Sequence, residues 1–395
     1  MKNITDELWN WIESNMTGDP DRLRLSCGKD HDKLFAITQI DARRRVKAKH
    51  ADILKRCPRF VFDSTLSAQQ TTADAVARYH STLIEPGARV LDMTGGQGID
   101  TIFISDRAGE ILLCEQNPSL AECDEHNFRQ MGIDNIAVRC CDSVALLDQL
   151  GNDSFDCIFI DPARRGDHGQ RLFALSQCAP DVTAIIDRML QVAPKVFIKA
   201  SPMLDVTHTI SELPSVSAVS AVGTPTECKE LLIECSRHAA GEPLLKAVTL
   251  SAGLISDYSF TRSAETAAEV NIDTPEASML LYVPYPSVTK AGAFKLLCND
   301  FGVSKLSLST HLYFSKTPVD GFPGEAYSIN EVLEFNKHSV KEVRAKYPSI
   351  NVTAKNFPLS ADTLAAKLKV KSGGSHRLFA CRNGQDKKLM IITGD

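Results

Sequence analysis

Five short apolar runs that alternate with helical segments constrain the fold of this chain most strongly. A strand that is apolar along its whole length fits a sheet covered on both faces, and alternation with helices indicates parallel strands. The pattern therefore predicts an α/β class protein with a doubly wound sheet. The predicted strands are residues 88–93, 110–115, 135–140, 155–161 and 195–200.

The regions on either side of this sheet have a different character. Residues 1–80 have apolar residues at helical spacing, which predicts an N-terminal helical region. Three later runs, at 216–222, 227–235 and 245–250, lack long intervening helices and predict an antiparallel finish to the sheet. We expect four parts, namely 1–80, an α/β domain at 81–260, and small α+β domains at 270–330 and 331–395.

The composition excludes several classes of protein. Hydrophobic residues make up 43% and charged residues 24% of the 395 residues, as in ordinary globular proteins. No apolar run is long enough for a membrane helix, and the N-terminus lacks the pattern of a secretory signal, so we expect a cytoplasmic protein. The 12 cysteines form no CxxC pair or zinc-like cluster, so we expect no metal site.

Charge is unevenly distributed along the chain. The formal net charge is −5, yet residues 43–59 are strongly basic and the last sixty or so residues are rich in lysine. Basic flanks around a more acidic core are compatible with an RNA or DNA substrate. They are equally compatible with charged helices that are simply solvated.

The strongest chemical signal is the segment VLDMTGGQGIDT at 90–101. A buried strand ends at Asp92, and a glycine-rich turn opens a helix whose N–H groups can face a ligand. The spacing is not G-x-G-x-x-G, and an acid at this strand end suits a cationic aminoacyl tail better than a pyrophosphate. The predicted cofactor contacts are Asp92, Thr94, Gly95, Gly96 and Gly98.

Two further acids follow the next strands. Glu115 ends the second strand, where a carboxylate can accept both ribose hydroxyls, and Asp142 follows the third, where an acid can meet an adenine amino group. Each acid taken alone also fits a helix cap or a solvated charge. Their joint placement at strand carboxyl ends, where open α/β sheets bind ligands, favours a cofactor site.

The fourth and fifth strands carry the candidate catalytic residues. Asp161 is followed by Pro162, which stiffens the loop, and the aspartate can hold an amino or hydroxyl nucleophile. Arg164 and Arg165 can clamp a phosphate, although Arg164 also fits an ion pair and Arg165 a surface charge. Lys199 can support developing negative charge or contact phosphate, and otherwise reads as a lysine reaching out from a strand end.

This series resembles class I S-adenosylmethionine (SAM)-dependent methyltransferases, particularly RNA-modifying ones. Residues 356–382 resemble the THUMP-like domain of one bacterial group of these proteins, and 282–297 resemble the ferredoxin-like module of its Bacteroidetes members. The resemblance implies SAM as cofactor and a tRNA or rRNA substrate, and the lack of a long apolar run implies no membrane partner. It assigns 81–260 to the methyltransferase domain, 270–330 to the ferredoxin-like domain and 331–395 to the THUMP-like domain.

The segment 64–79 resembles the helix that covers the methionine end of SAM in such enzymes. Gln69, Gln70 and Thr71 are the candidate contacts, with Gln70 the preferred one. A plain amphipathic packing helix explains the same segment equally well.

The reaction type follows from a missing residue. The DP-x-R loop also occurs in uracil-C5 RNA methyltransferases, which use a cysteine in the loop after the fifth strand, but residues 199–202 here read KASP. Direct transfer to a nitrogen or a hydroxyl is therefore expected. The alternatives are a methyltransferase of protein or small molecules, a non-catalytic RNA-binding protein, and an NAD-dependent oxidoreductase, which the glycine spacing disfavours.

Overall fold

The structure, a computed structural model, describes residues 4–164, 174–213 and 215–394, with only the backbone of Arg164. The chain forms two compact units. The N-terminal unit comprises residues 1–217 and 231–241, and the C-terminal unit comprises 218–230 and 242–395. In the described part of the chain, no helix is both long enough and apolar enough to span a membrane.

Six helices precede the first strand of the N-terminal unit. Asp30 caps the longest of them through the backbone N–H groups of Asp32 and Lys33, which satisfies donors that a helix start leaves free. Ile53 and Ala77 from two of these helices, and Phe60 from the segment after the fourth helix, pack against Phe103 in one apolar cluster. The helices are α1 (Asp6–Ser14), α2 (Pro20–Cys27), α3 (His31–Val46), α4 (Ala51–Arg56), α5 (Thr65–Gln70) and α6 (Asp74–Thr82).

The predicted alternation of strands and helices follows, and the α/β fold class is confirmed. In the N-terminal unit the strand order is β9-β7-β4-β1-β2-β3, and all neighbours are parallel except β7 and β9. The elements are β1 (Arg89–Asp92), α7 (Ile99–Ser105), β2 (Glu110–Glu115), α8 (Pro118–Met131), β3 (Ile136–Cys140), α9 (Ser143–Leu147), β4 (Cys157–Ile160), β5 (Ala163–Arg164), β6 (Cys178–Ala179), α10 (Val182–Val192), β7 (Lys195–Ala200), α11 (Val206–Glu212), β8 (Val216–Gly223) and β9 (Cys228–Ser236).

The C-terminal unit contains a seven-stranded sheet in the order β13-β14-β12-β15-β18-β17-β16. Its apolar side chains form two clusters, one around Phe314 and Ile391 and one around Leu364 and Met390. The remaining elements are β10 (Leu244–Ser251), β11 (Leu254–Phe260), α12 (Arg262–Ala267), β12 (Leu280–Pro284), α13 (Pro286–Ala291), α14 (Leu296–Phe301), β13 (Ser304–Ser307), β14 (Thr310–Ser315), β15 (Gly324–Glu334), α15 (Lys337–Lys346), β16 (Asn351–Ala354), α16 (Ala361–Leu368), β17 (Arg377–Arg382) and β18 (Lys388–Gly394).

The structure differs from the sequence predictions at two places. The helix expected over 64–79 is two helices, because Thr71 leaves helical geometry with a ψ of 160°. The antiparallel finish holds for β9, which runs antiparallel to β7, but β8 and β10 are parallel to each other, and β10 pairs antiparallel with the further strand β11.

Candidate functional site

The glycine-rich loop is fixed to the end of β1 by the Asp92 side chain. One carboxylate oxygen of Asp92 accepts the backbone N–H of Thr94 at 3.0 Å, and the other accepts the hydroxyl of Thr101 at 2.5 Å. Asp92 is only 2% exposed. The strand-end acid predicted from the sequence therefore lies beneath the loop as a buried carboxyl group.

The end of β2 holds the other side of the loop. The Glu115 carboxylate accepts the N–H of Gly96 at 2.7 Å and the N–H of Asn117 at 2.7 Å. Gly95 donates to the carbonyl of Cys114 at 2.8 Å, and a Cβ at Gly95 would lie 2.4 Å from the side chain of Leu113. Next to it, a Cβ at Gly96 would meet no atom within 4 Å. The loop is thus packed tightly at Gly95 and open at Gly96.

The loop after β4 joins the same cluster. The backbone N–H of Asp161 donates to the Thr94 hydroxyl at 2.7 Å, and the carboxylate of Asp161 pairs with the ammonium of Lys199. The Asp161 side chain is 43% exposed, whereas Lys199 is 13% exposed. The two predicted catalytic residues therefore form an ion pair with its carboxylate facing solvent.

Three buried acids have altered proton affinities at this site. Burial raises the pKa of Asp92 to about 7, against the hydrogen bonds from Thr101 and Thr94, which lower it. Burial also raises the pKa of Asp124 well above its usual range, reinforced by the nearby charges of Glu115 and Asp92. Burial also acts to raise the pKa of Asp100, but the charges of Lys199 and His80 lower it by more. The pKa of Asp100 therefore lies below its usual range.

Two buried polar groups beside the glycine loop lack hydrogen-bond partners among the described residues. They are both oxygens of Asp124 and the side-chain nitrogen of Gln97. The oxygen of the same Gln97 side chain accepts the N–H of Asp63 at 2.9 Å, which attaches the segment before α5 to the loop. A water molecule with two polar partners is the ordinary way to satisfy such groups.

The remaining predicted site residues lie apart from this hydrogen-bonded cluster. Asp142 is exposed and caps α9 through the N–H groups of Val144 and Ala145, at 2.9 and 3.3 Å. Gln70 is exposed at the last position of α5. Pro162 is buried, while the side chain of Arg164, together with Arg165, lies outside the described residues. The cofactor roles of Asp142 and Gln70 stay predictions.

Sequence reasoning did not single out Thr72, His80 or Asp100, although all three connect to Lys199. Asp100 occupies the first turn of α7, where an acid is common simply because it complements the helix dipole. Thr72 and His80 lie in a segment that reads as a packing helix. Nothing in the local pattern distinguishes these residues, since their roles depend on contacts between distant parts of the chain.

The tight turn at Gly98 yields a stability prediction. Gly98 has a φ of 63°, and a Cβ there would lie 2.7 Å from the ring of Phe128 and 3.2 Å from an oxygen of Asp124. The left-handed backbone costs an alanine about 1 kcal/mol, and overpacking adds about 1–3 kcal/mol. We expect Gly98→Ala to lower the free energy of unfolding by about 3 kcal/mol in urea denaturation.

Gly96 provides the matched control. Its φ is 59°, nearly that of Gly98, yet its surroundings are open. Gly96→Ala should therefore lose only the backbone contribution of about 1 kcal/mol. Equal losses in the two variants would contradict the close packing at Gly98.

Comparison with known proteins places these features in a family. Residues 280–323 match the ferredoxin-like domain family, and residues 324–395 match the THUMP domain-like family. The crystal structure of a candidate methyltransferase from Porphyromonas gingivalis W83 superposes with a TM-score of 0.89 at 27% identity, covering 98% of this chain and 97% of that one. The chain is thus a homologue of methyltransferases that carries a ferredoxin-like and a THUMP-like domain.

Two further matches are partial. Residues 30–164 match the protein-L-isoaspartate (D-aspartate) O-methyltransferase family. A 23S rRNA (uracil(1939)-C(5))-methyltransferase from Alkalilimnicola ehrlichii is 35% identical over 85 residues, which are 21% of this chain. The match spans 19% of the length of that enzyme, and so short a match leaves the substrate of this chain open.

Proposed function

We propose that this protein transfers a methyl group from SAM to a nitrogen or a hydroxyl group of a tRNA or rRNA. The observation that carries the proposal is the buried carboxyl group of Asp92, which accepts a hydrogen bond from the glycine-rich loop and has the negative charges of Asp100 and Asp161 nearby. A dinucleotide pyrophosphate would be repelled at such a loop. The ammonium and sulfonium groups of SAM would instead be attracted.

The residues present fit this cofactor. Asp92 offers a carboxylate for the ammonium group, the open space at Gly96 leaves room for a ligand against the backbone, and Glu115 has further lone pairs for ribose hydroxyls. When bound, SAM supplies an electrophilic methyl group on a sulfonium centre. We assign Asp142 and Gln70 to the adenine and methionine ends of the site, as the resemblance implies.

The chain's contribution to the chemistry is positional. Asp161 accepts a hydrogen bond from the substrate amino or hydroxyl group and so orients its lone pair toward the methyl group. The proton that the nucleophile loses when it takes up the methyl group would pass to Asp161 or to water. Lys199 holds the Asp161 carboxylate in place through their ion pair, and Arg164 is assigned to a phosphate of the substrate.

Covalent C5 chemistry lacks a nucleophile in the described site. The last residue of β7 and the loop after it are Ala200, Ser201 and Pro202, where a cysteine would be needed. Cys157 lies inside β4 and is buried, and burial raises the pKa of its thiol to about 12. A thiol that stays protonated in the sheet core is a poor nucleophile.

The charge of the C-terminal domain supports an RNA substrate. Residues 324–395 carry 12 lysines and arginines against seven aspartates and glutamates, whereas residues 1–323 carry 32 against 42. Such an excess of positive charge on one domain suits a polyanionic partner. The match of 30–164 to a protein O-methyltransferase family favours a protein substrate as the second candidate.

The test measures binding first and transfer second. Calorimetric titration with S-adenosylhomocysteine should give micromolar affinity, and titration with NAD should give none. Tritiated SAM is then incubated with the full-length protein and either total RNA or total protein from cells in which its gene is deleted. Label in RNA alone supports the proposal, label in protein alone supports the second candidate, and NAD binding would overturn both.

A further inference from the structure

A buried chain of polar side chains stands behind the Asp161–Lys199 pair. The Lys199 ammonium also donates to the hydroxyl of Thr72 at 2.7 Å and lies 3.7 Å from a carboxylate oxygen of Asp100. It therefore sits between two carboxylates that come from the loop after β4 and the first turn of α7. Only the Asp161 end of this arrangement is well exposed, at 43% of the side chain.

The Thr72 hydroxyl connects Lys199 to Asp100. It donates its single proton to the Asp100 carboxylate at 2.5 Å, so it must accept from Lys199. The other oxygen of Asp100 lies 2.8 Å from Nδ1 of His80, whose side chain is fully buried. The four groups form a continuous hydrogen-bonded chain from the protein interior to the surface carboxylate of Asp161.

This hydrogen-bonded series of polar side chains costs free energy that packing with apolar side chains would avoid. The side chains of Asp100 and Lys199 are each only 13% exposed, and removing charged groups from water is costly even when they are paired. Apolar residues of similar volume would fill the same space without that loss. The arrangement does achieve one thing that apolar packing cannot, which is to hold an ammonium group at a defined place against Asp161.

We infer that Thr72 and Asp100, with His80 behind them, are positioning residues that fix Lys199 against Asp161 for methyl transfer. A lysine has four rotatable side-chain bonds and would otherwise spread its charge over many positions. The contacts with Thr72 and Asp100 keep the ammonium group at one place against the Asp161 carboxylate. This inference rests on the proposed methyl transfer and adds three residues that touch neither cofactor nor substrate.

Thr72→Val and Thr72→Ser test the inference as a matched pair. Valine keeps the shape of this 7% exposed side chain but removes the hydroxyl, whereas serine keeps the hydroxyl and removes a methyl group. We expect Thr72→Val to lower kcat at least tenfold, with KM for RNA and affinity for S-adenosylhomocysteine within twofold of wild type. Thr72→Ser should stay within threefold of wild type in kcat.

The possible outcomes separate this inference from the proposed function. Absence of transfer by the wild-type protein, with any of the substrates above, contradicts the proposed function itself. If the wild-type protein transfers methyl groups and Thr72→Val has an unchanged kcat, the proposed function stands and this inference is overturned. An equal loss of kcat in Thr72→Ser and Thr72→Val also overturns it. If circular dichroism shows that Thr72→Val is unfolded, Asp100→Asn replaces it in the measurement, because asparagine keeps the shape of the side chain and removes its charge. An unchanged kcat in Asp100→Asn also overturns the inference.

Discussion

Replacing Asp92 by asparagine should stabilise the ligand-free protein at pH 8 and weaken its binding of S-adenosylhomocysteine at least 30-fold. The carboxyl group is 2% exposed, and burial raises its pKa to about 7. An asparagine keeps the shape and the acceptor for the Thr94 N–H but carries no charge to desolvate. It cannot, however, offer a full negative charge to the ammonium group of a ligand.

The pH dependence of this stability gain shows that it comes from the charge of buried Asp92. In the unfolded chain an aspartate loses its proton near pH 3.8, whereas folded Asp92 keeps it until about pH 7. Burial of Asp92 therefore does not destabilise the folded protein below pH 3.8. The destabilisation grows between pH 3.8 and 7 and reaches its full value of about 4 kcal/mol above pH 7. After the weakened bond to Thr101 is deducted, we expect a net gain of about 1–3 kcal/mol at pH 8.

Urea denaturation at pH 4.5, 6 and 8 measures this effect, with Asp156→Asn as the control. Asp156 is 48% exposed, and hydrogen bonds from Arg89 hold its pKa below the usual range. Its replacement should therefore give no gain at pH 8. A gain for Asp92→Asn that does not shrink toward pH 4.5, or a loss at pH 8, would show that Asp92 does not carry this penalty.

Sequence alone identified the residues whose position follows from the topology of the sheet. Asp92, Glu115 and Asp161 each end a parallel strand or follow it directly, and such ends meet at one edge of the sheet. The structure brings these three residues together around the loop after β1, while their roles in cofactor binding and catalysis stay predictions. Asp142 and Gln70 follow the same kind of pattern, but the structure gives Asp142 a helix-capping bond and leaves Gln70 exposed, so their roles stay predictions.

The positioning residues could not be found in that way because their contacts join segments far apart in the chain. Thr72 and Lys199 are separated by 127 positions, and no periodicity links them. The strand β15 was missed for a different reason. Its residues are mostly polar or partly exposed, and its pairing with β18 shifts register between Ile329 and Glu331, so the alternation that marks a strand is interrupted.

Removing the Asp161 carboxylate should have the largest effect on catalysis. We expect Asp161→Ala to lower kcat for methyl transfer to RNA at least 100-fold, because a positioned proton acceptor typically contributes a factor of 10² to 10⁴. Affinity for S-adenosylhomocysteine should stay within threefold, since the N–H of residue 161 still donates to Thr94. Calorimetry and single-turnover transfer of tritiated methyl groups measure the two quantities separately. Retained turnover would remove Asp161 from the mechanism.

The double variant with Lys199→Met determines whether Asp161 and Lys199 act as one unit. Lys199→Met alone leaves Asp161 and Asp100 facing each other without the cation between them, so its kcat should also fall at least tenfold. If the only function of Lys199 is to hold Asp161 in place, its loss costs nothing further once that carboxylate is gone. The double variant should then match Asp161→Ala, and the two losses should not add. A multiplied loss would instead mean that Lys199 acts on the substrate directly, through its phosphate or its developing charge.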